Sequence, residues 1–347
     1  MDLGLSGRVA LVTGSWRGTG AGTARVLASE GATVLVHGFE TGACAETIDS
    51  IRSNGGIAHE VVGDIRTDDG TSQLRAEVER VSSRVDIVVN NYGVAEGSDW
   101  PLSDAASWHS SYDTNVVSAI RVTNEFVGGM RSNGWGRIVF VSTVGATRPG
   151  ERIPEYYAAK GALPSIAVSL AKHLATTGIT VNCVSPGMIA TPEVVELLTK
   201  RAERKGIASD WASVEKFALE TGMANPSGHI STPEDVGRFI AFVVSEPAWH
   251  LNGAHLRFDG GAADAVTRLT AASKTAPNRE VVAHNTENDG GMKDFMEPKL
   301  FRPRVWTLRS EDGGAAKVGR TSSNESDKCR LAPNSNHRRS EDDPGHA

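Results

Sequence analysis

Arg8-Val9-Ala10-Leu11-Val12-Thr13-Gly14-Ser15-Trp16-Arg17-Gly18-Thr19-Gly20 is the stretch whose reading decides the fold. Arg8 to Thr13 is apolar, short and followed at once by glycines, which suits a buried parallel strand better than a helix. Gly20 to Glu30 carries helix-compatible residues, among them Ala21, Ala24, Val26, Leu27 and Ala28, and Gly31 is placed to close the helix as a C-terminal glycine. Between strand and helix, Gly14, Gly18 and Gly20 allow a tight turn and let backbone N–H groups approach an anion. The helix N-terminus then faces that charge. The predicted ligand of Gly14, Ser15, Gly18, Thr19 and Gly20 is a dinucleotide pyrophosphate.

Working outward, the same alternation repeats. Further strands are expected at Thr33–His37, Ala58–Gly63, Val85–Asn90, Gly136–Ser142, Thr180–Val184 and His255–Phe258. Helices are expected at Ala43–Ser53, Trp108–Arg131 (one long helix), Tyr156–Thr177 and Pro233–Ser245. Strands alternating with helices imply an α/β fold, a parallel sheet with helices on both faces. Right-handed crossovers make such a sheet doubly wound.

The chain has 347 residues and a formal net charge of -6. That balance excludes a nucleic-acid-binding chain by bulk charge. No apolar run reaches membrane-spanning length, and Met1 to Ala10 lacks a basic region followed by a long apolar stretch, so no signal peptide is expected. Cys44, Cys183 and Cys329 are odd in number and far apart, which argues against a disulfide framework and a zinc site. A cytoplasmic globular protein is expected, with no membrane, nucleic-acid or metal partner. Composition shifts near residue 265. Residues 1–265 form the expected catalytic domain. Residues 266–347 are polar and lack apolar periodicity; they are expected to be a disordered extension. The alternative is a segment that docks through Phe295, Phe301 and Trp306.

Arg17, inside the cradle, can pair with an extra phosphate on the adenosine ribose. The second strand ends His37-Gly38-Phe39-Glu40, with no carboxylate at Gly38 to read ribose hydroxyls. This favours NADP(H), with NAD(H) as the alternative if Glu40 swings in. Tyr156 and Lys160, in Tyr156-Tyr157-Ala158-Ala159-Lys160, share a helical face at i and i+4. A Lys⁺ near a phenol lowers its pKa from about 10. Such a Tyr can serve as general acid in carbonyl reduction, or as base in the reverse direction.

The glycine cradle, Asn90-Asn91-Tyr92-Gly93, the Tyr156–Lys160 motif, Val184-Ser185-Pro186-Gly187 and Asp259-Gly260-Gly261 occur in order at ordinary spacing. Over residues 5–263 the chain thereby resembles the short-chain dehydrogenase/reductase family, and within it 3-oxoacyl-carrier-protein-reductase-like members. The resemblance implies a Rossmann fold, a single domain with a small helical substrate lid. It implies Tyr156 as proton donor, and Lys160 as the holder of the nicotinamide ribose and the group lowering the Tyr156 pKa. Asn115 would hold a relay water. The carbonyl-polarising hydroxyl, usually Ser, falls on Thr143, or on Ser142 if the loop is aligned differently. Asp64 and Ile65 would meet adenine, and Asn91 and Gly93 would border the adenosine. Pro186, Gly187, Ile189 and Thr191 would form the loop under the nicotinamide. Tyr92 departs from the family's usual Ala and must point away or narrow the cleft.

Thr191 to Asn225, with Val194, Leu197, Leu198, Trp211, Phe217 and Met223, is expected to form two lid helices, or else to pack the outer sheet. Arg148 and Arg152 flank the expected substrate mouth and can attract an anion. Trp100 and Trp108 are expected to pack helix surfaces. The leading expectation is an NADP(H)-dependent carbonyl reductase for a ketone or secondary alcohol, such as a 3-oxoacyl thioester or polyketide-like ketone, working as a homodimer or homotetramer. An NAD-dependent secondary-alcohol dehydrogenase and a catalytically silent nucleotide-binding protein are the alternatives.

Overall fold

The structure is a computed structural model, and it describes residues 1–222 and 224–263. The expected extension and its aromatics, Cys329 and Met223 lie outside the described residues.

Seven strands form one parallel sheet: β1 (Val9–Val12), β2 (Thr33–Gly38), β3 (Ile57–Val62), β4 (Ile87–Asn90), β5 (Gly136–Val141), β6 (Ile179–Pro186) and β7 (His255–Phe258). Their spatial order is β3-β2-β1-β4-β5-β6-β7, and every pairing is parallel. The chain runs outward from β1 in one direction, then from β4 in the other. A cleft therefore opens beyond the carboxyl ends of β1 and β4, where crossovers diverge to opposite faces.

Strand side chains alternate between two cores. Ala10, Val12, Val34, Val36 and Val89 pack under α1 (Gly18–Ser29), α2 (Ala45–Ser53) and α9 (Pro233–Val243). Leu11, Leu35, Val88, Ile138 and Phe140 pack under α3 (Asp68–Val81), α5 (Ser118–Asn133) and α6 (Pro154–His173). Both faces are covered, which is why the strands read as continuous apolar runs.

Two elements differ from expectation. The sequence reading left residues 66–84 without a helix, but α3 fills them. Thr67 caps it through Gly70 N–H, and Leu74 and Val78, one turn apart, are its largest buried side chains. The expected continuous helix Trp108–Arg131 is α4 (Ala105–Tyr112), a widened π-turn at Asp113–Val117, and α5. Such an inserted residue shifts the register of whatever the turn carries, here Asn115.

The two helices expected over Thr191–Asn225 are α7 (Pro192–Glu203) and α8 (Trp211–Glu220). Leu198, Ala202, Val214, Ala218 and Ile230 form a small core between them, with Val194, Trp211 and Phe217 packed against it. They pack on each other through this core. Trp100 and Trp108 pair at 5.9 Å. Cys44 and Cys183 are buried free thiols. No helix among the described residues is long and apolar enough to cross a membrane.

Candidate active site

The cradle is built as the turn requires. Gly14 and Gly18 adopt positive φ, 63° and 57°, a region that disfavours side chains. A Cβ at Gly20 would lie 2.4 Å from the Gly14 carbonyl oxygen and 2.6 Å from Asn91 Nδ2. The N-cap of α1 is Arg17, and no side chain caps the helix. Its first N–H groups are thus left to an external acceptor, which fits a pyrophosphate. A cavity of about 730 Å³ lies against Gly14, Trp16, Arg17, Gly18, Thr19 and Gly20.

Asn91 latches the cradle to β4. Its Nδ2 donates to the carbonyls of Thr13 (2.9 Å) and Gly14 (3.2 Å). The Thr13 hydroxyl accepts from the N–H groups of Asn91 and Tyr92. His37, which the sequence reading left as an ordinary strand residue, is the second latch. Its Nδ1 accepts from Gly14 N–H at 3.1 Å, and its Nε2 lies 2.9 Å from the Gly63 carbonyl. That pairing requires the neutral Nε2–H tautomer. Burial pushes its pKa down to about 4, against the pull of the Gly63 hydrogen bond.

Three expectations at this end are corrected. Ser15 is fully buried; its hydroxyl donates to the Val12 carbonyl and accepts from His37 N–H, so it shapes the turn from behind. Ile65 is 1% exposed and belongs to the core. The Asp64 carboxylate is held by Arg66 through Nε and Nη2, both at 2.9 Å, which keeps it below the usual carboxylate range. Neither Asp64 nor Ile65 lines the cavity, whereas Arg66 does. Arg66 stacks 5.0 Å over the Phe39 ring, and no motif pointed to it. Tyr92 does not turn away: its ring meets Phe39 at 4.9 Å, with Trp16 beyond at 6.3 Å, so three aromatics narrow this end. Arg17 reaches Glu193 on α7 at 2.8 Å.

The cleft continues into a second cavity of about 440 Å³, which shares Thr19, Asn91, Gly93, Ala95 and Thr191 with the first. Its walls include Thr143, Tyr156, Lys160, Pro186, Gly187, Ile189 and Val194. Gly187 donates to the Phe258 carbonyl, and Ala190 to the Ser231 carbonyl, so the loop after β6 is held on both sides. Thr191 caps α7 through Val194 N–H. Arg148 lines this cavity, with Nη1 on the Ala262 carbonyl at 2.6 Å. Arg152 does not line it; its backbone bridges to Asp99.

Ser142 and Thr143 are separated by their hydrogen bonds. Ser142 is 6% exposed and donates to the Lys160 carbonyl at 2.8 Å, tying β5 to α6. The Thr143 hydroxyl accepts from Gly145 N–H at 3.3 Å, and it shares the cavity wall with the Tyr156 phenol. Both residues line the cavity, but the Ser142 hydroxyl is spent on α6. Lys160 is 4% exposed, and its Nζ donates to the Val141 carbonyl at 2.9 Å. Burial lowers its pKa to about 8. The expectation that Lys160 lowers the Tyr156 pKa is corrected. Burial pushes Tyr156 up to about 12, the Tyr157 phenol adds to this, and only Thr143 opposes it. Asn115 is fixed rather than free: Oδ1 accepts from Val94 N–H at 2.9 Å, and Nδ2 donates to the carbonyls of Ser111 (3.0 Å) and Val94 (3.2 Å).

A family model described as short chain dehydrogenase matches residues 8–202. The chain belongs to the short-chain dehydrogenase family. It is 32% identical over 261 residues to D-beta-hydroxybutyrate dehydrogenase of Cupriavidus necator, covering 74% of this chain and 98% of that one. It is 31% identical over 260 residues to a 3-oxoacyl-[acyl-carrier-protein] reductase of Haemophilus influenzae, covering 74% and 98%. Among solved structures, L-sorbose reductase of Gluconobacter frateurii, complexed with NADPH and L-sorbose, superposes with a TM-score of 0.71. That match is at 28% identity and covers 77% of this chain and all of that one. As a short-chain dehydrogenase, the protein is an NAD(P)-dependent oxidoreductase.

Proposed function

We propose that this short-chain dehydrogenase interconverts a ketone and a secondary alcohol with NADP(H), with Tyr156 as the general acid in reduction. The observation that carries the reading is the convergence of Thr143, Tyr156 and Lys160 on one cavity that is continuous with the glycine cradle. Pro186, Gly187, Ile189 and Thr191, which line the cavity, would hold the nicotinamide, which when bound would supply or accept the hydride. The chain's residues supply position and protons. Thr143 donates toward the carbonyl oxygen and polarises it. Tyr156, kept a neutral phenol by burial, gives its proton to that oxygen as charge develops there. Lys160, buried with its Nζ on the Val141 carbonyl at the end of β5, would hold the nicotinamide ribose.

A 3-oxoacyl thioester or polyketide-like ketone is the favoured substrate class, because relatives are named for 3-oxoacyl and 3-hydroxy acid chemistry. Arg17 and Arg66 line the adenosine end of the cleft, which suits a 2′-phosphate. NADPH is also the cofactor of the L-sorbose reductase that superposes on this chain. One observation favours NAD(H) instead: both cations are paired with carboxylates, Arg17 with Glu193 and Arg66 with Asp64. This reading also includes a cytoplasmic homodimer or homotetramer.

Thermal-shift titration with NADPH and NADH in parallel tests the cofactor. A ligand at 100 times its dissociation constant adds about 2.7 kcal/mol of stability, and NADPH is expected to give the larger shift. A ketone panel with NADPH then tests the chemistry. Tyr156→Phe is expected to lower kcat at least about 100-fold with the NADPH shift intact. Unchanged turnover in that variant overturns the mechanism, and no shift with either cofactor returns the protein to a catalytically silent role.

A further inference from the structure

Glu155 immediately precedes Tyr156 in the first turn of α6 and is 1% exposed. Its Oε1 accepts from Ser98 N–H at 2.9 Å, while its Oε2, equally buried, has no hydrogen-bond partner. A buried carboxylate oxygen left unmet is costly, about 1–3 kcal/mol or more, and the N-terminus of α6 offsets only part of that. Glu155 borders a third cavity, of about 310 Å³. That wall is polar: the hydroxyls of Ser98, Ser107, Ser110, Ser111 and Thr114 stand with Asn115, Tyr92 and the charged Arg66 and Glu96. A space of this size and polarity holds several waters at about 30 Å³ each.

Gly93 and Lys160 line the catalytic cavity, and beside them Asn115 lines this one. The Asn115 Oδ1 and the Lys160 Nζ both crowd Gly93, where an added Cβ would lie 2.7 Å and 2.5 Å from them. The carboxylate keeps its place because Gly97 has no side chain; a Cβ there would lie 2.8 Å from the Glu155 carboxyl carbon. A purely structural tether for Ser98 needs only Oε1.

We infer that Glu155 is a proton-shuttling carboxylate for the reaction centred on Tyr156, and this rests on the reading of Tyr156 as general acid. Each reduction forms one C–H bond from the hydride and one O–H bond from the Tyr156 proton, leaving the phenol one proton short. Glu155 takes a replacement proton from the water of this cavity. It passes the proton through cavity water to the Asn115–Lys160 edge and is unchanged over the cycle. In the oxidation direction the proton leaves by the same route.

Glu155→Gln keeps an acceptor for Ser98 but cannot carry the proton. In the full-length protein, with NADPH and the ketone reduced fastest in the panel, kcat is expected to fall about tenfold or more. The solvent deuterium isotope effect on kcat is expected to rise, with KM and the NADPH thermal shift unchanged, and added imidazolium buffer is expected to restore part of the rate. Thr114→Val, which removes a hydroxyl from the cavity wall, is expected to raise the same isotope effect and serves if Glu155→Gln folds poorly. Wild-type kcat and isotope effect in both variants overturn the shuttle, as does a loss confined to KM or thermal stability. If Tyr156→Phe is dead while Glu155→Gln is normal, only this inference fails; if Tyr156→Phe is active, the general-acid reading fails first.

Discussion

Gly14 is held in its left-handed conformation by a ring nitrogen from the next strand, so the state of His37 and the state of the cradle are linked. The folded pKa of His37 is lowered to about 4 from an ordinary 6.5. The unfolded chain therefore binds a proton that the folded chain refuses. Stability is complete above pH 6.5 and is lost as pH falls toward 4. Between pH 7.5 and pH 5 this one group is expected to remove about 2 kcal/mol. Urea titrations at the two pH values check it, with His37→Asn expected to shrink the difference. At this scale the sequence was legible where chemistry depends on spacing. Tyr156 and Lys160 share a helix face, and Gly14, Gly18 and Gly20 share a turn. It was not legible where side-chain direction decides. Ser15, Asp64 and Ile65 occupy the expected positions, but one turns into the turn's own backbone, one into Arg66 and one into the core. Glu155 was invisible for another reason: its burial depends on a loop 57 residues away.

Helices α1 and α9 meet through missing side chains. A Cβ at Gly22 would lie 2.5 Å from the Pro233 carbonyl carbon, and one at Gly237 would lie 2.9 Å from the Gly22 carbonyl oxygen. Backbone cannot yield as a side-chain tip can. Gly22→Ala is therefore expected to destabilise by about 1–3 kcal/mol, read as a lower Tm, despite the better helix propensity of Ala. The strands were legible as elements because each is an apolar run bounded by breakers. α3 was missed because it is mostly charged or polar, its buried face resting on Leu74 and Val78 with small residues. The π-turn at Asp113–Val117 leaves no compositional trace, since one extra residue in a turn preserves the helical pattern on either side.

Across the whole molecule, chemistry and cohesion are at opposite ends of the sheet. Below β1 and β5, away from the cleft, Arg8 and Arg137 stack on the Trp135 ring at 3.6 Å and 4.2 Å. Glu246, beyond α9, accepts from Trp135 Nε1 and from Arg8, both at 2.8 Å, and lies 3.6 Å from Arg137. Arg137 is 3% exposed, and Glu246 is the carboxylate paired with it. Glu246→Gln is expected to cost about 1–3 kcal/mol of stability while leaving cofactor affinity and kcat as they were; chemical denaturation beside steady-state kinetics checks both halves. The cleft owes its form to a different kind of restraint. Asn91 and His37 grip the glycine loop from β4 and β2, using atoms that belong to the fold and not to any guest. The loop is thus cast when the chain folds, before a nucleotide arrives. Its ordering entropy is a folding matter, and a dinucleotide meets a receptor whose shape is already set.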